Sequence, residues 1–142
     1  MKKKTAILLG ATGLTGGYVL SELLYDDRYE KIILFSRSTK GIDNPKLEEH
    51  LIAMDELPKY ASLFKGDEVY CCVGTTKKKT PDKAVYKTID YGIPVNAAQL
   101  AKLNNIPTFI VVSAMGASEQ SAVFYNRLKG EMEADVKKSK ID

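Results

Sequence analysis

The stretch LLGATGLTGGY, Leu8 to Tyr18, constrains the fold more than any other. It places Gly10, Gly13 and Gly16 three residues apart, directly after the apolar run TAILLG. Leu20, Leu23 and Leu24 follow at helical spacing, which predicts a helix from about Gly13 to Tyr25. A buried strand that turns through glycines into a helix is the opening of a βαβ unit. The chain repeats that alternation to its end. KIILFSR reads as a second strand, residues 38–46 as a loop around Gly41, Asn44 and Pro45, and EEHLIAMD as a short third strand. A helix over 56–64, the strand DEVYCCVGTT, a helix over 90–104, the strand IPTFIVVSA and a helix over 120–138 complete the pattern. Pro94 fits its helix only in the first turn. Near-continuous apolar strands alternating with helices predict a parallel sheet covered on both faces. The expected fold is α/β, a doubly wound parallel sheet (Rossmann fold) in a three-layer sandwich with strand order 3-2-1-4-5. At 142 residues it is read as one domain spanning 1–142.

Composition removes several classes of function. The net charge is +3, carried largely by the lysine runs at 2–4 and 77–79, which read as solvated surface. No broad basic face points to nucleic acid. No apolar stretch reaches the roughly 18 residues of a membrane span. A single histidine, His50, argues against a histidine-based metal site, so no metal is expected. Cys71 and Cys72 are neighbours on a predicted strand and point to opposite faces, which makes an intrachain bridge between them unfavourable. Reduced, buried thiols and the lack of a recognisable signal segment led to an expected cytoplasmic location.

In a doubly wound sheet the first strand-to-helix turn lies where strand order reverses, and ligands bind there. Gly10 would permit the tight turn, Gly13 would let backbone approach a pyrophosphate, and Gly16 would let the helix pack close. Amides near Gly13, Leu14 and Thr15 would face phosphate, aided by the helix dipole. A plain structural corner is the alternative. No Gly-Lys-Ser/Thr is present, so a P-loop is excluded. After strand two, FSRSTK carries Arg37 with Ser38 and Lys40 where a ribose-binding carboxylate would stand. A guanidinium pairs bidentately with phosphate, which favours NADP over NAD; a solvated arginine is the alternative. Asp55 could lie near an adenine amino group or serve as a surface or cap residue. Tyr125 and Lys129 are spaced i, i+4 on the last helix, and Ser113 ends strand five. An ammonium beside a phenol favours phenolate, so such a trio suits proton transfer to or from an alcohol oxygen. An amphipathic helix with one inward aromatic and one solvated lysine is the alternative.

GATGLTG, YCCVGTTK, VSAMGAS and FYNRLKGEMEADV, in that order, resemble the short-chain dehydrogenase/reductase superfamily, specifically its atypical NAD(P)-binding, NmrA-like branch with the Tat-interacting oxidoreductase-like proteins. The resemblance implies NADP held on Thr12, Gly13, Leu14 and Thr15, with Gly10 and Gly16 shaping the turn, the 2′-phosphate on Arg37 and Ser38, and Val73 beside the cofactor. It implies Tyr125 as acid–base, Lys129 as its partner and Ser113 at the family serine position. Family members continue beyond the tyrosine helix with a sixth strand and a substrate-closing segment, which the 1–142 domain is expected to lack. That leaves strand five as an edge open to a second copy. It also leads to the expectation of weak dinucleotide binding and poor turnover. The expected activity is NADP-dependent hydride transfer to or from a small carbonyl or alcohol. The alternative is a catalytically silent dinucleotide-sensing protein, and a nucleotide-sugar epimerase relative is a third reading.

Overall fold

The computed structural model describes residues 2–74, 79–113 and 117–139. Five strands form one parallel sheet in the order β3-β2-β1-β4-β5. They are β1 (Lys4–Leu9), β2 (Tyr29–Ser36), β3 (Leu47–Leu51), β4 (Glu68–Cys71) and β5 (Thr108–Val111). Helix α1 (Leu14–Tyr25) joins β1 to β2. A 3-10 helix, Met54–Leu63, joins β3 to β4. Helices α2 (Lys83–Lys87) and α3 (Ile93–Leu103) join β4 to β5, and α4 (Phe124–Lys137) closes the described chain.

The alternation of side chains along β1 divides the core. Ala6 and Leu8 face α1 and pack with Ile32, Leu34, Leu20 and Leu23. Ile7 and Leu9 face the opposite layer and pack with Phe35, Leu57, Phe64, Ala97 and Ala101. These four β1 side chains are wholly buried. A strand sealed on both sides needs this unbroken apolar run, and the run is what made β1 recognisable. Helices lie on both faces, and the sheet order and layers are as expected.

Several elements differ from the sequence reading. The segment after β3 is a 3-10 helix rather than an α-helix, with Pro58 inside it and a kink at Tyr60. Proline lacks the amide and crowds the preceding turn, which favours the tighter, broken form. The helix expected at 90–104 starts earlier. Asp82 caps α2 by accepting from the amides of Ala84 and Val85 at 2.9 and 3.2 Å. A π-helical turn over Thr88–Gly92 then links α2 to α3, and Ile93 donates to the Thr88 carbonyl. Pro94 follows at the second position of α3, within its first turn. Strands β4 and β5 are shorter than the apolar runs that announced them. Parts of the motifs YCCVGTTK and VSAMGAS, residues 75–78 and 114–116, lie outside the described residues.

No helix among the described residues is long and apolar enough to cross a membrane.

Candidate functional site

The glycine turn is built by contact. Gly10 has φ +86°, and a Cβ there would lie 2.7 Å from the Cys72 carbonyl carbon. Only glycine meets both conditions. A Cβ on Gly16 would stand 1.9 Å from the Gly10 carbonyl oxygen, so α1 rests directly on the turn. Gly13 is different: its Cβ would have only the Gly10 oxygen near it, at 3.5 Å. Gly13 therefore opens outward, and its freedom serves whatever approaches from outside. It caps α1 with no side-chain hydrogen bond, and no acidic residue stands in the first turn. The amides of Leu14, Thr15 and Gly16 precede the intrahelical ladder and point from the positive end of the helix. Thr12, Leu14 and Thr15 are exposed, Leu14 at 78%.

A cleft of about 710 Å³ opens at the carboxyl ends of β1, β2 and β4. Gly10, Thr12, Gly13, Arg37 and Val73 line it together. Asp55, Phe35 and Cys72 complete the near walls. Leu14, Thr15 and Gly16 continue from its rim into α1, and Ser38 lies exposed beyond Arg37. The Arg37 loop is tied down. Ser36, buried at the end of β2, donates its hydroxyl to the Ser38 carbonyl at 2.9 Å. Glu49 on β3 accepts from the Thr39 hydroxyl at 2.7 Å and from the Lys40 amide at 3.0 Å. These bonds hold the Glu49 carboxyl below its ordinary range, the Lys40 amide acting most strongly. The Lys40 ammonium lies 3.7 Å from where a Gly17 Cβ would be, beside the head of α1.

Tyr125, Lys129 and Ser113 do not line this cleft. Tyr125 packs on Tyr86 of α2 and Lys129 pairs with Asp90 of the π-helical turn, whose Thr88 and Ile89 are in the cleft wall. Lys129 Nζ lies 3.4 Å from Asp90 Oδ2; the carboxylate is fully buried and the lysine side chain is 11% exposed. Tyr86 on α2 lies near Asp90, and its pKa is pushed up first by burial and then by the Asp90 carboxylate. The Tyr125 ring meets Tyr86 edge-on with centroids 4.7 Å apart and Phe124 at 5.2 Å. Ser113 donates its hydroxyl to Glu133 Oε2 at 2.6 Å. The segment leading to α4 crosses that helix where Gly130 leaves room: a Cβ there would stand 2.3 Å from the Ser118 carbonyl carbon. The Ser118 amide also donates to the Asn126 carbonyl. Burial pushes the Cys71 thiol up to about 12 and raises Cys72 as well.

Asp90 and Tyr86 were absent from the sequence reading. Their i, i+4 spacing in VYKTIDYG, opposite a helix carrying a lysine, was the available signal.

Residues 10–142 match a protein family described as NAD(P)H-binding. The chain is 31% identical to Protein HTATIP2 of Rattus norvegicus, with all of this chain and 60% of the rat protein covered. It is 30% identical to the mitochondrial protein FMP52-1 of Scheffersomyces stipitis, covering 93% of this chain and 60% of that one. The chain thus spans about 60% of the length of these curated relatives. Among solved structures, the enzyme WbmG of Bordetella bronchiseptica in complex with NAD superposes with a TM-score of 0.80 at 15% identity. That match covers 99% of this chain and 51% of WbmG, and it is a likeness of fold. One expectation is overturned. The chain was read as cytoplasmic, but its fungal relatives are named mitochondrial. Thiol burial and a weakly basic composition reflect chemistry inside the fold and carry no cellular address.

Proposed function

This chain belongs to the NAD(P)H-binding family, and from that premise we propose that it is an NADP-dependent oxidoreductase of the short-chain dehydrogenase/reductase type, acting on a small carbonyl or alcohol. One observation carries the proposal: Gly13 and Arg37 stand in the walls of a single cleft, beside the uncapped head of α1. The residues fit a dinucleotide. Gly13 presents backbone with no Cβ in the way, and Gly10, Thr12 and Val73 shape the same wall. The amides of Leu14 and Thr15 would hold the pyrophosphate, with Gly16 letting the helix sit close enough to supply them. Arg37, with Ser38 and Lys40 next to it, would hold a 2′-phosphate. Asp55 would serve the adenine end.

When bound, the nicotinamide supplies or takes the hydride. The protein's part is proton handling and orientation. Tyr125 would give a proton to the carbonyl oxygen during reduction, or take it from the alcohol during oxidation. Lys129 would favour the phenolate through its charge. Ser113 would orient the oxygen once its hydroxyl turns from Glu133.

The test follows the nicotinamide absorbance of NADPH with a panel of carbonyl compounds. Oxidation that disappears in Tyr125→Phe supports the proposal. In parallel, Arg37→Asp should move cofactor preference from NADPH toward NADH, and an unchanged preference would sink the 2′-phosphate role. A second reading, a catalytically silent NAD(P)-binding regulatory protein, is favoured by two engagements: Ser113 bonds to Glu133 and Lys129 pairs with Asp90. NADPH binding without oxidation across the panel would support it.

A further inference from the structure

Taking Tyr125 as the acid–base group, we infer that Asp90 is a positioning residue that holds Lys129 by a buried ion pair and so sets how strongly that ammonium acts on Tyr125. Three observations support the inference. Asp90 is fully buried and its carboxylate lies 3.4 Å from the Lys129 ammonium, which is itself nearly enclosed. The Asp90 carboxylate also stands close enough to Tyr86 to help raise its pKa, and Tyr86 packs edge-on against Tyr125. Finally, Asp90 stands in the π-helical turn between α2 and α3. Single π-helical turns within helices are frequent at functional sites.

A buried charge pair is poor value as a stabiliser. Its desolvation offsets most of its attraction, and apolar replacements are often neutral or better. The pair does, however, change the field at a neighbouring phenol. A bare ammonium close to Tyr125 would strongly favour phenolate. With a carboxylate against it the pair is formally neutral, and the field of the ammonium at a neighbouring group is partly cancelled. Among the described residues, Tyr86 on α2 senses Asp90 and the Cys71 thiol on β4 senses Lys129; Tyr125 lies one turn before Lys129 on α4, against Tyr86. Glu133 stands one turn along α4, occupied by Ser113. Asp90 thus acts through Lys129.

The experiment titrates Tyr125 directly, by NMR of protein carrying carbon-labelled tyrosine rings, with its resonance assigned by loss in Tyr125→Phe. No substrate or turnover is involved, so the result stands apart from the outcome of the NADPH oxidation assay. Asp90→Asn keeps the shape and the acceptor oxygen and removes the charge. The Tyr125 midpoint should fall by about one pH unit or more. Lys129→Gln should raise it. If Asp90→Asn proves unfolded, the double variant Asp90→Asn/Lys129→Gln removes both charges, and its midpoint should lie below that of Lys129→Gln alone. A midpoint unmoved by loss of the carboxylate, in either background, overturns the inference, because a purely structural aspartate would change stability and leave the phenol where it was.

Discussion

Replacing Gly16 and, separately, Gly13 by alanine separates the two duties of the glycine turn. At Gly16 the new methyl would meet the Gly10 oxygen at 1.9 Å, far inside the 3.4 Å at which ordinary contact begins. Relief requires α1 to move out by roughly 1.5 Å, which would strip Leu20 and Leu23 of part of their packing. The preference of a helix for alanine over glycine returns about 1 kcal/mol. Overpacking against fixed backbone costs more, so a net loss of about 2–4 kcal/mol is expected, or roughly 10 °C in melting temperature for a domain of this size. At Gly13 the methyl meets ordinary contact, and φ −82°, ψ 173° is open to alanine. Stability should change by less than about 1 kcal/mol. The methyl would instead occupy the side from which a pyrophosphate approaches, and NADPH affinity should fall at least tenfold, about 1.4 kcal/mol. Thermal denaturation followed by fluorescence titration with NADPH reads both. An unchanged melting temperature in Gly16→Ala would refute the close approach. Undiminished NADPH affinity in a folded Gly13→Ala protein would refute the phosphate seat.

Gly130→Ala should displace the segment at Ser118, which it would strike at 2.3 Å; hydrogen exchange should show faster amides over 117–121 and a stability loss of about 2 kcal/mol. Glu49→Gln weakens the clamp on the Thr39–Lys40 backbone, so NADPH affinity should fall several-fold while NADH affinity holds, read as a ratio of dissociation constants. For Glu68, burial works to raise the pKa, but hydrogen bonds from Tyr29, Lys4 and Tyr70 outweigh it and leave the carboxyl below its ordinary value of 4.5. A depressed folded pKa gives stability that is present above pH 4.5 and is lost as pH falls through the folded value. Urea midpoints at neutral and acid pH should therefore show a smaller acid loss in Glu68→Gln than in the parent.

The sheet order, the turn and the Arg37 loop were legible because each is written in local chemistry. An apolar run must be sealed on both faces, a crossover must be right-handed, and glycine marks backbone that cannot carry a Cβ. Helix α2 was missed because its cap, Asp82, follows a polar run, TTKKKTP, that reads as loop. The π-helical turn has no periodic signature. Asp90 was missed for a related reason. A single acid on an amphipathic helix reads as solvent-facing, and only the packing of α4 against that helix makes it a buried partner of Lys129. The strand ends were overrun because apolar character continues past the last ladder bond into the cleft wall, as at Val73.

The π-helical turn also decides which residue of this stretch is buried. A π-turn spends about one residue more than an α-turn, so the run at 88–92 takes up an extra residue while α2 and α3 stay nearly in phase. Deleting one residue there would restore a regular ladder with little rotation between the flanking helices. Tyr86 would keep its contact with Tyr125, and Ala97 and Ala101 their places in the core. Asp90, inside the turn, would be the residue to lose its position against Lys129. The fold would survive the deletion with the buried ion pair taken apart.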